Sequence, residues 1–211
     1  MFFEKYKNDT HDMIPTPVDI APGINITYGL GGAHFAKKAY TATDIIHVDV
    51  NSMYPNIMIQ YNLLSRAITS PDVFVDWVHK RLEAKKNDDI ATADNLKLKI
   101  NSVYGLMKSK NSTLYDPYYA SSIAIRGQVL ITILTMGLAN VGCEIINVNT
   151  DGIFFKPAGD YKTICSKWEE RTKLTLSYKK YALIEQADVN NYRLVDLENN
   201  IITKGAKFNK K

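Results

Sequence analysis

The feature that most constrains the fold of this chain is a pair of apolar runs joined by a short polar turn, within residues 145–155. The runs flank the tip at 149–152, which reads Asn-Thr-Asp-Gly. Apolar runs around such a turn predict a β-hairpin with two largely buried strands. The hairpin would present the Asp151 carboxylate to a cleft, where it can bind a metal ion. Asn-Thr-Asp-Gly is also ordinary turn chemistry, so the tip alone does not establish a site.

The composition fits a globular protein. The 211 residues suffice for one substantial core with room for a small subdomain, and 45% hydrophobic with 23% charged residues is an ordinary soluble balance. We expect the apolar runs to be too short to span a bilayer, and the charges directly after Met1-Phe2-Phe3 do not fit a signal peptide. We therefore expect no membrane partner and a cytoplasmic location. The two cysteines, Cys143 and Cys165, indicate a reducing compartment, and no Cys/His spacing resembles a zinc site.

The charge balance is mildly basic. A net charge of +4 and a pI near 8.8 permit a polyanionic partner without requiring one. Lysines cluster near the C-terminus, after a predicted helix and between two tyrosines, and each cluster is also consistent with a solvated surface. The clustered residues are Lys108, Lys110, Lys179, Lys180, Lys204, Lys207, Lys210 and Lys211.

A second acid, Asp49, lies at the end of a predicted strand, 44–50, shortly before a polar turn and Pro55. In sheets with helical crossovers, ligands bind where strands end. An isolated acid at a strand end is usually only solvated. Asp49 and Asp151 form a metal site if their strands are neighbours.

A helical hairpin is predicted between the two acids. Ser-Pro-Asp at 70–72 starts a helix that runs to about residue 86, and a second helix follows over about 91–108. Polar residues share one face of each helix. They are Arg81 and Lys85 on the first helix, and Lys97, Asn101 and Tyr104 on the second. A cation, an amide and an aromatic together suit a triphosphate, a polar network and a stacked base or sugar, and an amphipathic helix with a snorkelling lysine is the alternative.

The remaining segments follow from periodicity and turn residues. Helices are predicted over 116–140 and 161–172, and a strand over 174–184 precedes a hairpin within 192–204. Residues 1–27 include three prolines and are expected to be an irregular lead-in.

Three glycines lie within residues 28–32, between β-forming residues. A stretch of this kind lets another backbone approach closely, and a nucleic-acid strand is one candidate. A plain glycine turn between two strands is equally consistent with these residues.

Three segments in order resemble the polymerase core of family B DNA polymerases, most closely the short phage type. Residues 49–55, DVNSMYP, resemble the first family motif, Asp-x-x-Ser-Leu-Tyr-Pro. Residues 97–105, KLKINSVYG, fit the second, Lys-x-x-x-Asn-Ser-x-Tyr-Gly, at every fixed position. Residues 149–152, NTDG, are similar to the third, Asp-Thr-Asp-Ser. Each match alone could arise by chance, but three in order make coincidence improbable.

Shorter matches extend the resemblance over residues 28–207. Arg81 and Lys85 resemble the Arg-x-x-x-Lys pair of the family's fingers. Residues 178–181, YKKY, resemble its Lys-Lys-x-Tyr primer-strand motif. Residues 28–32 are similar to its Tyr-x-Gly-Gly template-strand motif, with one extra residue.

The resemblance implies an α+β fold, a polymerase palm in which an antiparallel sheet is backed by two helices, with a short helical-hairpin fingers insertion. The expected divisions are a palm in two parts, 28–69 and 109–207, fingers at 70–108, a lead-in at 1–27 and a basic tail at 208–211.

The resemblance also implies a template-directed DNA polymerase that uses two Mg²⁺ ions, with Mn²⁺ as a substitute, to add deoxynucleoside triphosphates to primer-template DNA. Asp49 and Asp151 would bridge the ions, with the Val50 carbonyl as a further ligand. The remaining implied roles place Arg81, Lys85 and Lys97 on the triphosphate, Tyr54 under the sugar, Asn101 and Tyr104 beside the base pair, Lys179, Lys180 and Tyr181 on the primer backbone, and Tyr28, Gly31 and Gly32 on the template strand.

Two residues depart from the family pattern, and two expected domains are missing. Asn149 replaces the first aspartate of the third motif, which removes one charge and would weaken metal binding, while Thr150 keeps its place between them. Gly152 replaces a serine and affects a local hydrogen bond only. We expect no exonuclease or thumb within this chain, so it is a fragment or one piece of a split polymerase with separate thumb or exonuclease chains, from a phage-infected bacterial host.

Two other functions are consistent with the same residues. The first is a catalytically weak or silent palm that serves as a DNA-binding or assembly subunit, which Asn149 and the missing thumb favour. The second is another palm polymerase such as a reverse transcriptase, against which the full match at 97–105 argues.

Overall fold

The structure of the protein, a computed structural model, describes residues 17–29 and 31–208. Within these ranges nine strands form one sheet in the order β1-β2-β3-β5-β6-β4-β7-β8-β9, and every neighbouring pair is antiparallel. The strands are β1 (Pro17–Ala21), β2 (Ile24–Tyr28), β3 (Ala33–Ala36), β4 (Tyr40–Val50), β5 (Glu144–Asn149), β6 (Gly152–Lys156), β7 (Leu176–Asp188), β8 (Asn191–Asp196) and β9 (Ile201–Lys204). The expected α+β fold with an antiparallel sheet is confirmed.

Five helices accompany the sheet in the described part of the chain. They are α1 (Met53–Gln60), α2 (Pro71–Lys86), α3 (Ile90–Lys108), α4 (Pro117–Asn140) and α5 (Tyr161–Thr172). The predicted helical hairpin is confirmed as α2 and α3, which pack against each other. Its turn is fixed by Asp89, whose side chain accepts a hydrogen bond of 3.0 Å from the Thr92 backbone N–H.

The two faces of the sheet bury different sets of side chains. Along β4, Ile46 and Val48 belong to the main core, which lies between the sheet and the helices, whereas Ile45 belongs to a second cluster on the opposite face. Side chains alternate along a strand, so His47 and Asp49 point to the same face as Ile45. We call this face the second face of the sheet.

Two elements differ from the sequence prediction. Residues 17–27, expected to be irregular, contain β1 and most of β2, because a proline is tolerated in an edge strand such as β1. Helix α1 was expected to be a turn, but Pro55 lies in its first helical turn, where the missing N–H costs no hydrogen bond. Residues 1–16 of the expected lead-in and 209–211 of the expected basic tail lie outside the described residues.

Helix α4 also corrects one expectation. By length and composition it is long and apolar enough to cross a membrane, although the sequence was expected to hold no run of that kind. Its inward side chains, including Ile123, Ile131 and Leu138, are fully buried in the main core. The central helix of a core has the same composition as a membrane span, so this apolar character follows from packing on the sheet.

The start of α4 is held by a buried acid. The Asp116 carboxylate accepts a hydrogen bond from the Tyr119 backbone N–H at 3.2 Å. The Arg66 side chain donates two more to it, from Nε and from Nη2, each at 2.9 Å. Its side chain is only 3% exposed. The hydrogen bond from Arg66 lowers the pKa of Asp116 below its ordinary value of 3.8. Asp116 therefore joins the segment before α2 to the helix that spans the core.

We predict that Asp116→Asn lowers the free energy of unfolding by about 2 kcal/mol near pH 7, because Arg66 loses its ionic partner. An acid with a lowered pKa stabilises the fold above its unfolded pKa, and this contribution is lost as the pH falls through the folded pKa. Urea unfolding at about pH 7 and about pH 2 measures the difference. A penalty of equal size at both pH values would contradict the ionic role, and Asp72→Asn on the exposed start of α2 is the control.

Candidate active site

A cavity of about 390 Å³ opens where β4 ends, between the sheet and helices α1, α2 and α3. The sheet contributes two acids, Asp49 and Asp151, and the helical hairpin contributes three cations. Val50 and Thr150 also line the cavity. The other predicted site residues that line it are Tyr54, Arg81, Lys85, Lys97, Asn101 and Tyr104. The structure therefore brings together the predicted metal and nucleotide residues, which are spread over about 100 positions of the sequence.

The two acids are neighbours because their strands pair. In the β4–β6 ladder Asp49 lies opposite Gly152, the residue after Asp151. The Val50 backbone N–H donates to the Asp151 carbonyl at 2.8 Å and closes the end of this ladder. The condition stated from the sequence, that the strands of the two acids be neighbours, is met.

The hairpin tip is held in a strained backbone conformation. Thr150 has a φ of 60°, in the left-handed region that a β-branched residue rarely adopts. Its backbone N–H donates to the Ala33 carbonyl at 3.0 Å. A Cβ at Gly32 would lie 2.5 Å from Thr150 Oγ1, so only glycine permits this approach. The tip that carries Asp151 is thus fixed by the β2–β3 connection.

The glycine stretch at 28–32 is therefore occupied by protein contacts. The Tyr28 hydroxyl bonds Thr132 Oγ1 at 2.9 Å, and the Gln128 amide donates to the Gly29 carbonyl at 2.6 Å. Gly31 is the open member, since a Cβ there would meet nothing within 4 Å. Tyr28 and Gly32 thus support the loop and the tip, and Gly31 has open space beside it. The template-binding role of Tyr28, Gly31 and Gly32 stays a prediction.

Burial makes ionisation of both acids less favourable, and the charge of Asp151 adds to this effect at Asp49. Burial raises the pKa of Asp49 to about 6, and the Asp151 charge adds to this, while Lys85, Lys179 and Lys97 oppose it. Burial also raises the pKa of Asp151, opposed by the charges of Lys204 and Lys97. Two partly buried carboxylates side by side favour a bound cation.

Three cations face these acids from the helical hairpin. Arg81 is only 9% exposed; its Nη1 donates to Ser52 Oγ, and its buried Nε has no hydrogen-bond partner. Burial lowers the pKa of Lys85, and the charge of Arg81 lowers it further. Within residues 17–29 and 31–208, neither of them nor Lys97 forms an ion pair. Unpaired cations that line the same cavity suit a polyanionic ligand.

Two tyrosines form one wall of the cavity. The rings of Tyr54 and Tyr104 lie 4.8 Å apart, and the buried Tyr104 hydroxyl has no hydrogen-bond partner in the described structure. The Tyr54 hydroxyl donates to the Gly31 carbonyl. A Cβ at Gly127 on α4 would lie 3.0 Å from Tyr54 Cε1 and 2.9 Å from Met53 Cε. Gly127, which the sequence did not single out, lets α1 pack closely on α4 and so sets the position of Tyr54.

The structure places the three residues predicted to grip a DNA strand in different surroundings. Lys179 lies opposite His47 in the β4–β7 ladder and shares the second face with Asp49. Lys180 points to the other face because side chains alternate. Tyr181 is 7% exposed and packs in the second cluster, 6.1 Å from Phe154 between ring centroids. Of the three, Lys179 lies on the face of the sheet that carries Asp49. The primer-binding role of Lys179, Lys180 and Tyr181 stays a prediction.

His47 is a site neighbour that the sequence did not reveal. Its ring stacks on Phe154 with centroids 4.1 Å apart, and burial lowers its pKa to about 4, so the ring is neutral at pH 7. A Cβ at Gly152 would lie 2.6 Å from His47 Nε2 and 3.3 Å from Asp49 Oδ1. The glycine that departs from the family motif therefore leaves space for the imidazole beside Asp49.

The donor set fits a hard divalent cation whose coordination is completed by the substrate. Within the described ranges, no group of three or more histidine, cysteine or acidic side chains is placed to hold a metal ion. The cavity offers two carboxylates, and oxygen ligands of this kind suit Mg²⁺ or Mn²⁺ when phosphates supply further ligands.

Comparisons with known proteins agree with this fold. No family model matches the chain. It is 29% identical over 84 residues to DNA polymerase II of Escherichia coli (strain K12), which covers 40% of this chain and 11% of that protein. Its fold is similar to that of the family B DNA polymerase from the hyperthermophilic archaeon Pyrobaculum calidifontis, with a TM-score of 0.66 and 20% identity over 90% of this chain and 30% of that one. The chain thus resembles a part, less than a third, of a family B DNA polymerase.

We predict that Gly152→Ser lowers the free energy of unfolding by about 1–3 kcal/mol, because the new side chain overlaps the stacked His47 ring. The penalty should shrink in the His47→Val background, where the ring is absent. A double-mutant cycle by urea unfolding measures this coupling. Gly31→Ser, at a glycine with open space, is the control. Equal penalties in both backgrounds would show that His47 and Gly152 do not share this space.

We predict that Asp49→Asn stabilises the metal-free protein by about 1–2 kcal/mol near pH 8, since it removes a buried, repelled charge. The folded pKa of about 6 lies above the ordinary 3.8, so the charged form is penalised in the fold. The penalty is complete above about pH 6 and vanishes below about pH 4. Thermal unfolding with a chelator at both extremes tests this, with Asp44→Asn on the same strand as control. A destabilised variant near pH 8 would refute it.

Proposed function

We propose that this chain is the catalytic core of a template-directed DNA polymerase of the family B type, which adds deoxynucleotides to a primer 3′ end. The observation that carries the proposal is the cavity itself. Two carboxylates on paired strands face three unpaired cations of the helical hairpin across a space of about 390 Å³. Negative groups for a metal and positive groups for a polyphosphate, on opposite walls, are what nucleotidyl transfer requires.

Asp49 and Asp151, with the Val50 carbonyl, would hold two Mg²⁺ ions, for which Mn²⁺ can substitute. When bound, the ions polarise the primer hydroxyl and the α-phosphate and neutralise the leaving pyrophosphate. The role of the protein is to keep both carboxylates in place before substrate arrives. The β4–β6 ladder and the hydrogen bond from Val50 N–H to the Asp151 carbonyl support that role.

Arg81, Lys85 and Lys97 would bind the triphosphate. None of the three forms an ion pair within the described part of the chain, so no ionic partner has to be displaced when phosphates enter. Because Arg81 and Lys85 lie on one helix and Lys97 on the next, a bound triphosphate would hold the two helices together. Asn101 would lie beside the nascent base pair.

Tyr54 and Tyr104 would bind the sugar and base. Their rings are 4.8 Å apart, and Tyr54 is fixed from below by the close packing of α1 on α4 at Gly127. Because this packing fixes the Tyr54 ring, a 2′-hydroxyl on the incoming sugar would clash with it. The site would therefore favour deoxynucleotides over ribonucleotides. Lys179, on the second face next to Asp49, would contact the primer backbone without reading its sequence.

The sequence resemblance further assigns residues 28–69 and 109–207 to a palm of the phage type and residues 70–108 to its fingers. The solved polymerase is more than three times the length of the matched region. We also propose that a thumb and an exonuclease, carried on the same polypeptide or on separate chains, assist this core in the cytoplasm of a phage-infected host.

A second candidate function is a weak or silent palm that acts as a DNA-binding or assembly subunit. The observation in its favour is Asn149, since the third motif supplies one carboxylate where the family pattern has two. In that case the chain binds DNA without extending it.

We predict Mg²⁺-dependent primer extension that is lost by at least about a thousandfold in Asp49→Asn and retained in Asp44→Asn on the same strand. Lys85→Ala should raise the KM for deoxynucleotides about tenfold, because a phosphate contact is lost, whereas Lys80→Ala on the exposed side of α2 should not. Steady-state extension on a primed template measures both. If Asp49→Asn extends as well as the parent protein, the catalytic proposal fails, and DNA binding without extension would favour the silent palm.

A further inference from the structure

The side chain of Asn149 does not line the cavity, and it makes hydrogen bonds across the second face of the sheet. Its Nδ2 donates to the Asn190 side-chain Oδ1 at 3.1 Å and to the Val189 carbonyl at 3.4 Å. Its Oδ1 accepts from Thr150 Oγ1 at 3.5 Å, and His34, its partner in the β3–β5 ladder, also bonds its side chain. Both ends of the carboxamide are engaged.

Asn149 belongs to a group of three carboxamides that joins β5 to the β7–β8 turn. We call Asn147, Asn149, Gln186 and the Val189 carbonyl the carboxamide clasp. Asn147 is fully buried and donates to Gln186 Oε1 at 3.0 Å and to the Val189 carbonyl at 3.3 Å. Gln186, 2% exposed, donates in turn to the Lys37 carbonyl at 2.7 Å and to the Ile146 carbonyl at 3.0 Å.

The clasp spans strands that are not neighbours. In the sheet, β6 and β4 lie between β5 and β7, so these hydrogen bonds cross the concave second face instead of following a ladder. The clasp fixes the distance between the hairpin tip and the β7–β8 turn. Asp151 follows Asn149 by two residues, so the position of its carboxylate depends on this anchor.

The direction of the hydrogen bonds explains why an amide stands at this position. The two groups facing Asn149 Nδ2 are both oxygen acceptors. An aspartate has the same shape but offers only acceptors, so it would place negative charge against both oxygens and remove this donor from Asn190 Oδ1, while Val189 keeps its hydrogen bond from Asn147. A carboxylate at position 149 would therefore weaken the attachment of the hairpin tip to the β7–β8 turn, even though it adds negative charge near the cavity.

We propose that Asn149 is a positioning residue that anchors the tip bearing Asp151. The inference rests on the proposed polymerase function only for its catalytic consequence. It goes beyond that function because it gives a structural reason for the amide at position 149, where the third family motif has an aspartate.

The test compares Asn149→Asp with Asn190→Asp. The first variant removes the donor of the hydrogen bond between these two side chains, and the second keeps its acceptor. Asn190→Asp keeps an acceptor for the Asn149 donor and should leave the melting temperature and Mn²⁺ binding nearly unchanged. Asn149→Asp removes the donor and should lower the melting temperature by about 3–8 °C. It should also weaken Mn²⁺ binding, measured by electron paramagnetic resonance, about tenfold despite the added negative charge.

In primer extension, Asn149→Asp should lower kcat with little change in the KM for deoxynucleotides, because the substrate-binding helices are untouched. Tighter Mn²⁺ binding by Asn149→Asp than by the parent protein would overturn the inference, since residue 149 would then act as a ligand. Equal melting temperatures for Asn149→Asp and the parent protein would also overturn it. The unfolding and Mn²⁺ measurements need no polymerase activity, so a chain that fails to extend primers fails the proposed function separately.

Discussion

The site depends on one strand pairing, the ladder between β4 and β6. It places Asp49 opposite Gly152, and the Val50 N–H bond to the Asp151 carbonyl closes its end. Without this register the two acids would not share a cavity, because a slip of one residue turns every side chain of a strand to the other face. The core reinforces it, since Val48 and Ile153, paired in this ladder, are both completely buried. Hydrophobic burial therefore fixes the position of the charges.

Three close contacts around the site are possible only because one partner in each is a glycine. Gly32 admits Thr150, Gly152 admits His47 and Gly127 admits Tyr54. In each case a methyl group would fall 2.5–3.0 Å from its neighbour, closer than carbon atoms pack. The contacts that set Thr150 and Tyr54 in the cavity wall are therefore tight, whereas the lining side chains of Lys85, Lys97 and Asn101 are exposed.

Local signals predicted much of the fold, and contacts between distant residues accounted for what was missed. The α2–α3 hairpin was predictable because its caps and polar faces lie within the helices themselves. Helix α1 was missed because Pro55 was taken for a turn signal, although a first helical turn accepts proline. The acids were found from their strand ends, but the places of His47 and Gly127 depend on partners about 70 to 105 positions away, which no local pattern reveals. Asn149 was judged by its charge, whereas its hydrogen bonds reach a turn 40 residues later.

The charges around the cavity are divided between two parts of the molecule. Both acids lie at strand ends of the sheet, and all three facing cations lie on the helical hairpin, which packs into the same main core as the sheet through residues such as Val78 and Ile100. Attraction between the parts acts across the cavity instead of within either part. Salt therefore screens the attraction that draws the helices towards the sheet while leaving the hydrophobic core that the two parts share unaffected.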